Sequence, residues 1–402
     1  MYDDPATMEP MLPDCAGDRA DLSDLALDLV AESARAVGQL HPLTEGTLRA
    51  LLRTINSYYS NLIEGHRTHP IDIERAMRAD YAGEPVRRAL QLESRAYIEI
   101  QQAIEGRIAS EPGLRVCDPA FLCWIHERFY QQLPPSLREV GDPSDQERET
   151  LVPGRLRERP VQVGRHVPPD ARSLDRFLTR FADVYAPERH RGQARFIAAA
   201  ASHHRLAWIH PFLDGNGRVT RLFTDAYLGA GGTVGHGLWS ASRGLARNRA
   251  EYLDRLAAAD APRRNDYDGR GNLSLAGLAD FCRFFLQTCI DQARFMGGML
   301  ATDDLHKRIQ GYVQLRAAGT LPGRAIKPVA APVLVTVFLR GSLPRGEAAA
   351  LTGYGERAGR DVIAGLLEEG LLVSDSPKGA VRIGLPMAAV PYLFPGVFPM
   401  DS

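Results

Sequence analysis

The chain has 402 residues, 45% hydrophobic and 24% charged, an ordinary globular composition with enough length for two or three domains. Lys and Arg total 48 against 49 Asp and Glu, so no net field draws it to nucleic acid or an anionic membrane. Cys15, Cys117, Cys123, Cys282 and Cys289 are odd in number and make no CxxC pair, which argues against a disulfide framework or a structural zinc.

Residues 1–20 are expected to be a flexible N-terminus, acidic and proline-containing, without the basic flank and apolar segment of a signal peptide. No stretch approaches the ~20 apolar residues of a membrane span, so a reducing, cytoplasmic setting and no membrane partner are expected. Apolar residues recur at three and four over 22–40, with Ser23 or Asp21 as the cap. Further helices are predicted at 45–63, 71–80, 85–106 and 119–132. Residues 133–169 are rich in Pro, Gly and charge, and 160–164 reads as a short strand or hairpin arm closed by Pro168 and Pro169. Helices return at 173–185, 193–208, 219–228, 248–259 and 275–294. Cys282 and Cys289 lie at helical spacing in an apolar run and read as buried small residues.

The composition shifts near 320–332, which predicts a linker. Beyond it come an apolar segment, a short helix at 344–351, a turn and a second helix at 356–369. Short strands at 371–373 and 381–383 then flank a Ser-Pro-Lys-Gly turn. The expected division is an N-terminal helical region at 21–110, a core at 111–300, a linker region at 301–332 and a C-terminal unit at 333–402. The body is mainly α.

Chemistry concentrates at His210-Pro211-Phe212-Leu213-Asp214-Gly215-Asn216-Gly217-Arg218-Val219-Thr220-Arg221. Gly215 and Gly217 permit positive φ, so backbone N–H groups can converge on an anion at the start of a helix whose dipole also favours negative charge. Arg218 and Arg221 stand three apart, on one helical face, where both can reach one phosphate chain. Asp214 is a hard oxygen ligand suited to Mg²⁺ bridging phosphates. His210 precedes proline, which biases it towards extended geometry, and a neutral imidazole there can take a hydroxyl proton. No GxxxxGK[ST] or strand-borne GxGxxG is present. A rival metal site would use His203, His204, His210 and Asp214, although adjacent histidines project about 100° apart on a helix.

This run resembles the HPFx[DE]GNGRxxR motif of the Fic (Fido) family at every fixed position. The resemblance implies a Fic-type helical bundle with a small β-hairpin flap, and transfer of AMP from ATP to a Ser, Thr or Tyr hydroxyl of a protein, possibly the chain itself. By it, His210 is the general base, Asp214 the Mg²⁺ ligand, Gly215, Asn216 and Gly217 the anion hole, and Arg218 and Arg221 the holders of the β- and γ-phosphates. Ser60-Asn61-Leu62-Ile63-Glu64-Gly65 is similar to the family's inhibitory [ST]xxxE[GN] pattern. A carboxylate at a helix C-terminus is disfavoured by the dipole unless a cation compensates, and Arg221 is the cation expected to meet Glu64. The stretch containing Val161, Gly164, Pro168 and Pro169 resembles the flap that lines the nucleotide and aligns the target by β-augmentation. Where relatives often show Tyr-Tyr, this chain has Tyr252-Leu253, so the base preference stays open.

The C-terminal unit looks like the winged helix appended to many bacterial Fic proteins. Its basic residues (Arg340, Arg345, Arg357, Arg360, Lys378, Arg382) are balanced one for one by acidic ones between 328 and 384, a poor footprint for a DNA reader. DNA, a docking protein and homodimerisation remain alternatives for it. The leading expectation is an autoinhibited protein adenylyltransferase. The alternatives are removal of AMP with Glu64 orienting water, a winged-helix DNA-binding regulator whose site senses nucleotide, and phosphate or phosphocholine transfer.

Overall fold

The computed structural model describes residues 2–13, 20–38, 40–141 and 149–399; Cys15 lies outside them. After α1 (Asp21–Val37), four helices open on proline: α2 (Pro42–Ile63), α3 (Pro70–Met77), α4 (Pro85–Ser110) and α5 (Pro119–Gln131). Proline's fixed φ suits the first helical position, and its missing N–H is one the helix would leave unpaired. Side chains just ahead cap three of these ends: His41 accepts from Leu43 N–H, Glu84 from Val86 and Arg87, and Asp118 from Ala120. Hence α2 starts at Pro42, ahead of the expected 45. α1 comes after Ala20, which offers no side-chain cap, and Asp21 and Ser23 both lie inside the helix.

The centre of the molecule is built by α6 (Leu174–Tyr185), α7 (Gln193–Ile209), α8 (Asn216–Ala230), α9 (Ala241–Arg247), α10 (Arg249–Ala259) and α11 (Leu275–Leu300). α11 is apolar over most of its length and packs on α1, α7, α9 and α10, burying Cys282 and Cys289. The unexpected α9 is seven residues long, too short to show a helical period. β1 (Glu139–Val140) pairs antiparallel with β2 (Glu149–Thr150). The short strand or hairpin arm expected at 160–164 takes the form of a tight turn closed by one antiparallel bridge, Val163 to His166, with Gly164 at φ +59°.

Residues 301–332, expected as linker, contain α12 (Thr302–Ala317). Its buried Arg316 reaches Tyr312 (2.8 Å), the Arg324 carbonyl (2.6 Å) and Glu369 (2.5 Å), which fixes the helix to the C-terminal unit. That unit comprises α13 (Ala330–Arg340), α14 (Arg345–Ala350), α15 (Glu356–Glu368), a hairpin of β3 (Leu372–Val373) with β4 (Arg382–Ile383), and α16 (Val390–Leu393). It rests on α2. Thr44 Oγ1 donates to the Phe338 carbonyl (2.6 Å), and Tyr59 OH to the Val397 carbonyl (2.8 Å). Phe398 sits edge-on to Tyr58 at 5.2 Å, and Arg243 holds the Gly396 carbonyl at 2.7 Å. Among the described residues, no helix is long and apolar enough to cross a membrane.

The N-terminus also departs from expectation. Residues 2–13 form a strap with Met8 and Met11 buried, its carbonyls taken by Arg205, Tyr185 and Leu273. Those partners sit on or beside α6, α7 and α11, so tertiary contacts order a segment whose composition alone suggests looseness.

Candidate active site

α7 delivers His210 at its C-terminal end. The residue is left-handed (φ 49°, ψ 61°), not extended, and its N–H still reaches the Leu206 carbonyl at 3.2 Å. Proline at 211 disfavours the right-handed region for His210, and the left-handed turn is the exit that lets the chain double back beside its helix. Arg157, buried, holds that turn: its Nε donates to the His210 carbonyl (2.8 Å), its Nη2 to the Pro169 carbonyl (2.6 Å), and its backbone N–H to the Pro211 carbonyl (3.0 Å). Burial pushes the His210 pKa down to about 4, so the imidazole is neutral near pH 7 and able to accept a proton.

The loop after it is closed by Asn216. The side-chain oxygen accepts from Phe212 N–H (2.9 Å) and the side-chain nitrogen donates to the Phe212 carbonyl (2.8 Å). Phe212 is fully buried and stacks on His126, with centroids 4.1 Å apart and planes 5° from parallel. His126 Nδ1 accepts from Gly154 N–H (2.8 Å), which leaves Nε2–H to donate to the Asp214 carbonyl (3.2 Å); burial holds its pKa down to about 4. Tyr130 OH donates to Asp214 Oδ2 (2.7 Å). The Asp214 side chain is 49% exposed, so a carboxylate pinned at one oxygen stays accessible to a cation. Burial alone would raise its pKa, but Arg218 and Tyr130 outweigh that and hold it below the usual range.

Gly215 is required on two counts. Its φ is +79°, and a Cβ there would lie 2.7 Å from the Tyr130 ring. The first backbone bond of α8 runs from Val219 N–H to the Gly215 carbonyl (3.0 Å), so the N–H groups of Asn216, Gly217 and Arg218 form the free positive end of the helix.

The two arginines differ. Arg221 is fully engaged: Nε donates to Ser60 Oγ (2.8 Å), and Nη2 to the Ser60 carbonyl (3.2 Å) and to Glu64 Oε1 (2.5 Å). Arg218 lies over the Phe129 ring at 5.0 Å, makes only long ion pairs to Glu93 (3.7 Å) and Asp214 (3.9 Å), and has no partner for its buried Nε among the described residues. Glu64 also covers Gly217, where a Cβ would collide with its Oε1. Burial disfavours the Glu64 anion, but the charge and hydrogen bond of Arg221 overcome this and lower its pKa.

Part of this set borders a cleft of about 820 Å³, while Asp214, Gly215 and Arg218 are not among its lining residues. Glu64, His210, Asn216, Gly217, Arg221, Gly164 and Tyr252 all line it, together with Val163, Val167, Leu253 and Leu256. Val161 is not among its lining residues: the turn at 164–165 presents Val163 and Val167 instead. Tyr252 is buried, 3% exposed, with its hydroxyl 2.8 Å from His203 Nε2. The rival metal set does not converge. His203 Nδ1 meets Thr224 Oγ1 (2.8 Å), while His204 Nε2 faces the Leu256 carbonyl and Asp260 (both 3.1 Å). No local sequence pattern marks Arg157, His126, Tyr130 or Glu93, because each acts by folding next to the motif from elsewhere in the chain.

A sequence model of the Fic/DOC family matches residues 116–228. The protein adenylyltransferase Fic of Drosophila willistoni is 28% identical over 139 residues, covering 34% of this chain and 28% of the relative. Its counterpart from Drosophila grimshawi is 28% identical over 139 residues, with 34% and 29% covered. The chain therefore spans well under half the length of the curated relatives it matches. Among solved structures, a Fic family protein from Desulfovibrio desulfuricans superposes with a TM-score of 0.51 at 18% identity, covering 89% of this chain and 95% of that one. A Fic domain containing signaling protein from Bacteroides thetaiotaomicron also gives 0.51 at 18% identity, with 68% and 95% covered. At that identity the likeness concerns the fold.

Proposed function

We propose that this chain, whose residues 116–228 match the Fic/DOC family, is an autoinhibited protein adenylyltransferase that moves AMP from ATP to a hydroxyl of a protein, itself included. The observation that carries the reading is the grip of Ser60 and Glu64 on Arg221 directly above Gly217. A guanidinium so engaged is withdrawn from the terminal phosphate, and the Glu64 anion repels a phosphate chain approaching the helix end.

When Glu64 is displaced, Arg221 and Arg218 hold the β- and γ-phosphates, and the N–H groups at the start of α8 receive the developing negative charge. Neutral His210 takes the proton of the target hydroxyl. The oxygen forms a bond to the α-phosphorus as the bond from that phosphorus to the β-bridging oxygen breaks, and pyrophosphate leaves. Asp214 would hold Mg²⁺, which supplies charge neutralisation on the phosphates. The turn at 163–167 covers the cleft, and the winged-helix-like C-terminal unit braces α2. DNA binding by that unit gains little support, since Arg360 pairs with Glu356 and Arg382 with Asp375.

The test is label transfer from α-labelled ATP with Mg²⁺, read alongside intact mass, which identifies the group added. Glu64→Gly is expected to raise self-labelling at least tenfold, and Glu64→Gly with His210→Ala to abolish it. Unchanged labelling on Glu64→Gly would remove the inhibitory role. The reverse reaction would appear as a labelled target that loses AMP only while Glu64 is present.

A further inference from the structure

Much of the molecule is invested in holding residues 2–11 in place. Asp170 N–H donates to the Tyr2 carbonyl (2.8 Å), Arg176 to the Asp3 carbonyl (3.1 Å), and Leu273 N–H to the Glu9 carbonyl (2.9 Å). Gly271 lets that backbone approach so closely that a Cβ there would collide with the Glu9 carbonyl oxygen. Arg205, a fully buried cation on α7, has Nη2 on the Pro10 carbonyl at 2.7 Å. That is five residues before His210, so the strap and the candidate base share one rigid helix. The end product is a single aromatic side chain in the cleft: Tyr2 lines it, 37% exposed, with its ring 5.2 Å from that of Trp208 at 39°.

α10 orients the cleft. Near its start, Arg249 donates to the Ile63 carbonyl (2.8 Å), beside Glu64 and Arg221. Just past its end, Pro262 bridges Leu273, the residue bound to the strap. Its 11 residues span about 16 Å. Leu253, Leu256 and Ala257 lie on one face of it and border the cleft, as do Val163 and Val167. The cleft thus holds Arg221 near the start of α10 and, towards the strap, the rings of Tyr2 and Trp208 beside the polar pair His166 and Asp260.

We propose that Tyr2 is a specificity-determining residue, an aromatic wall against which the nucleobase stacks, delivered by the N-terminal strap. This rests on the adenylyltransferase reading for the identity of the nucleotide. An aromatic face suits a flat purine better than a smaller pyrimidine, and the strap's anchoring holds the ring in place before the ligand arrives.

The experiment uses the full chain, any tag placed at its C-terminal end, in the Glu64→Gly background. Isothermal titration compares ADP with inorganic tripolyphosphate, which carries charge but no base. Tyr2→Ala is expected to weaken ADP about tenfold, the range of one base–aromatic stack, and to leave tripolyphosphate unchanged; Tyr2→Phe is expected to match the parent. In transfer assays the KM for ATP should rise by a similar factor with kcat within about twofold. Equal ADP affinity in Tyr2→Ala overturns the proposal, and so does a parallel loss of tripolyphosphate, which would make the strap a scaffold only. Should Glu64→Gly transfer no AMP, the adenylyltransferase reading fails, while the ADP–tripolyphosphate contrast still judges Tyr2 by itself.

Discussion

The N-terminus of α8 and the C-terminus of α2 meet at Arg221, and they are built by opposite means. At α8 nearly every requirement is met within twelve residues: the left-handed turn at His210, the clip from Asn216 to Phe212 and the positive φ of Gly215. At α2 the same number of residues determines almost nothing alone. Ser60 and Glu64 acquire their position from partners about 160 residues away, and α2 is itself held by the C-terminal unit through Thr44 and Tyr59. The groups proposed to act on substrate come from one stretch of sequence, though Arg157, His126 and Tyr130 hold them from elsewhere, whereas the contact that would restrain them lies wholly between distant parts. Control can then change without altering the chemistry.

That contrast can be broken by experiment. The largest effect belongs to the local half: His210→Ala in the Glu64→Gly background should cost at least about a hundredfold in labelling rate, the usual scale of a lost general base. A residual rate close to the parent would move the base elsewhere. On the distal half, Ser60→Ala removes an acceptor from a buried cation while leaving Glu64 in place. Basal labelling should rise about tenfold, in line with hydrogen bonds to charged groups, and no rise would make Ser60 a packing residue. Tyr59→Phe deletes one neutral hydrogen bond to the Val397 carbonyl, so basal labelling should rise at most about fivefold, corresponding to about 1 kcal/mol. The rise must vanish in the Glu64→Gly background; if it persists, the tail does not act through Glu64.

The smallest effect concerns pH. With its pKa near 4, His210 is neutral from pH 6 to 8, so the labelling rate of Glu64→Gly should vary less than about twofold there and fall only towards pH 4. Stability has the same sign. His126 and His210 both titrate below the ordinary value near 6.5, so the unfolded chain binds more protons between about pH 4 and 6.5, and stability declines as pH falls through that window. A thermal melt series checks this; a Tm that rises on acidification from pH 6.5 to 5 would contradict it.

Helix positions were largely legible, because a 3.6-residue period and proline at the first turn act locally. The motif's chemistry was legible for the same reason. By itself the sequence determined that a base, a carboxylate, two glycines and two arginines share one turn-and-helix, with the arginines three apart on one face. Only the tertiary structure decided what those groups face. It set Arg157 against His210, joined Glu64 to Arg221 as the pattern at 60–65 leads one to expect, shaped the strand or hairpin arm expected at 160–164 as a one-bridge turn, and ordered the N-terminal strap so that Tyr2 reaches the cleft. Each of these rests on contacts between residues far apart in the chain, whose free energy exists only once the helices have packed.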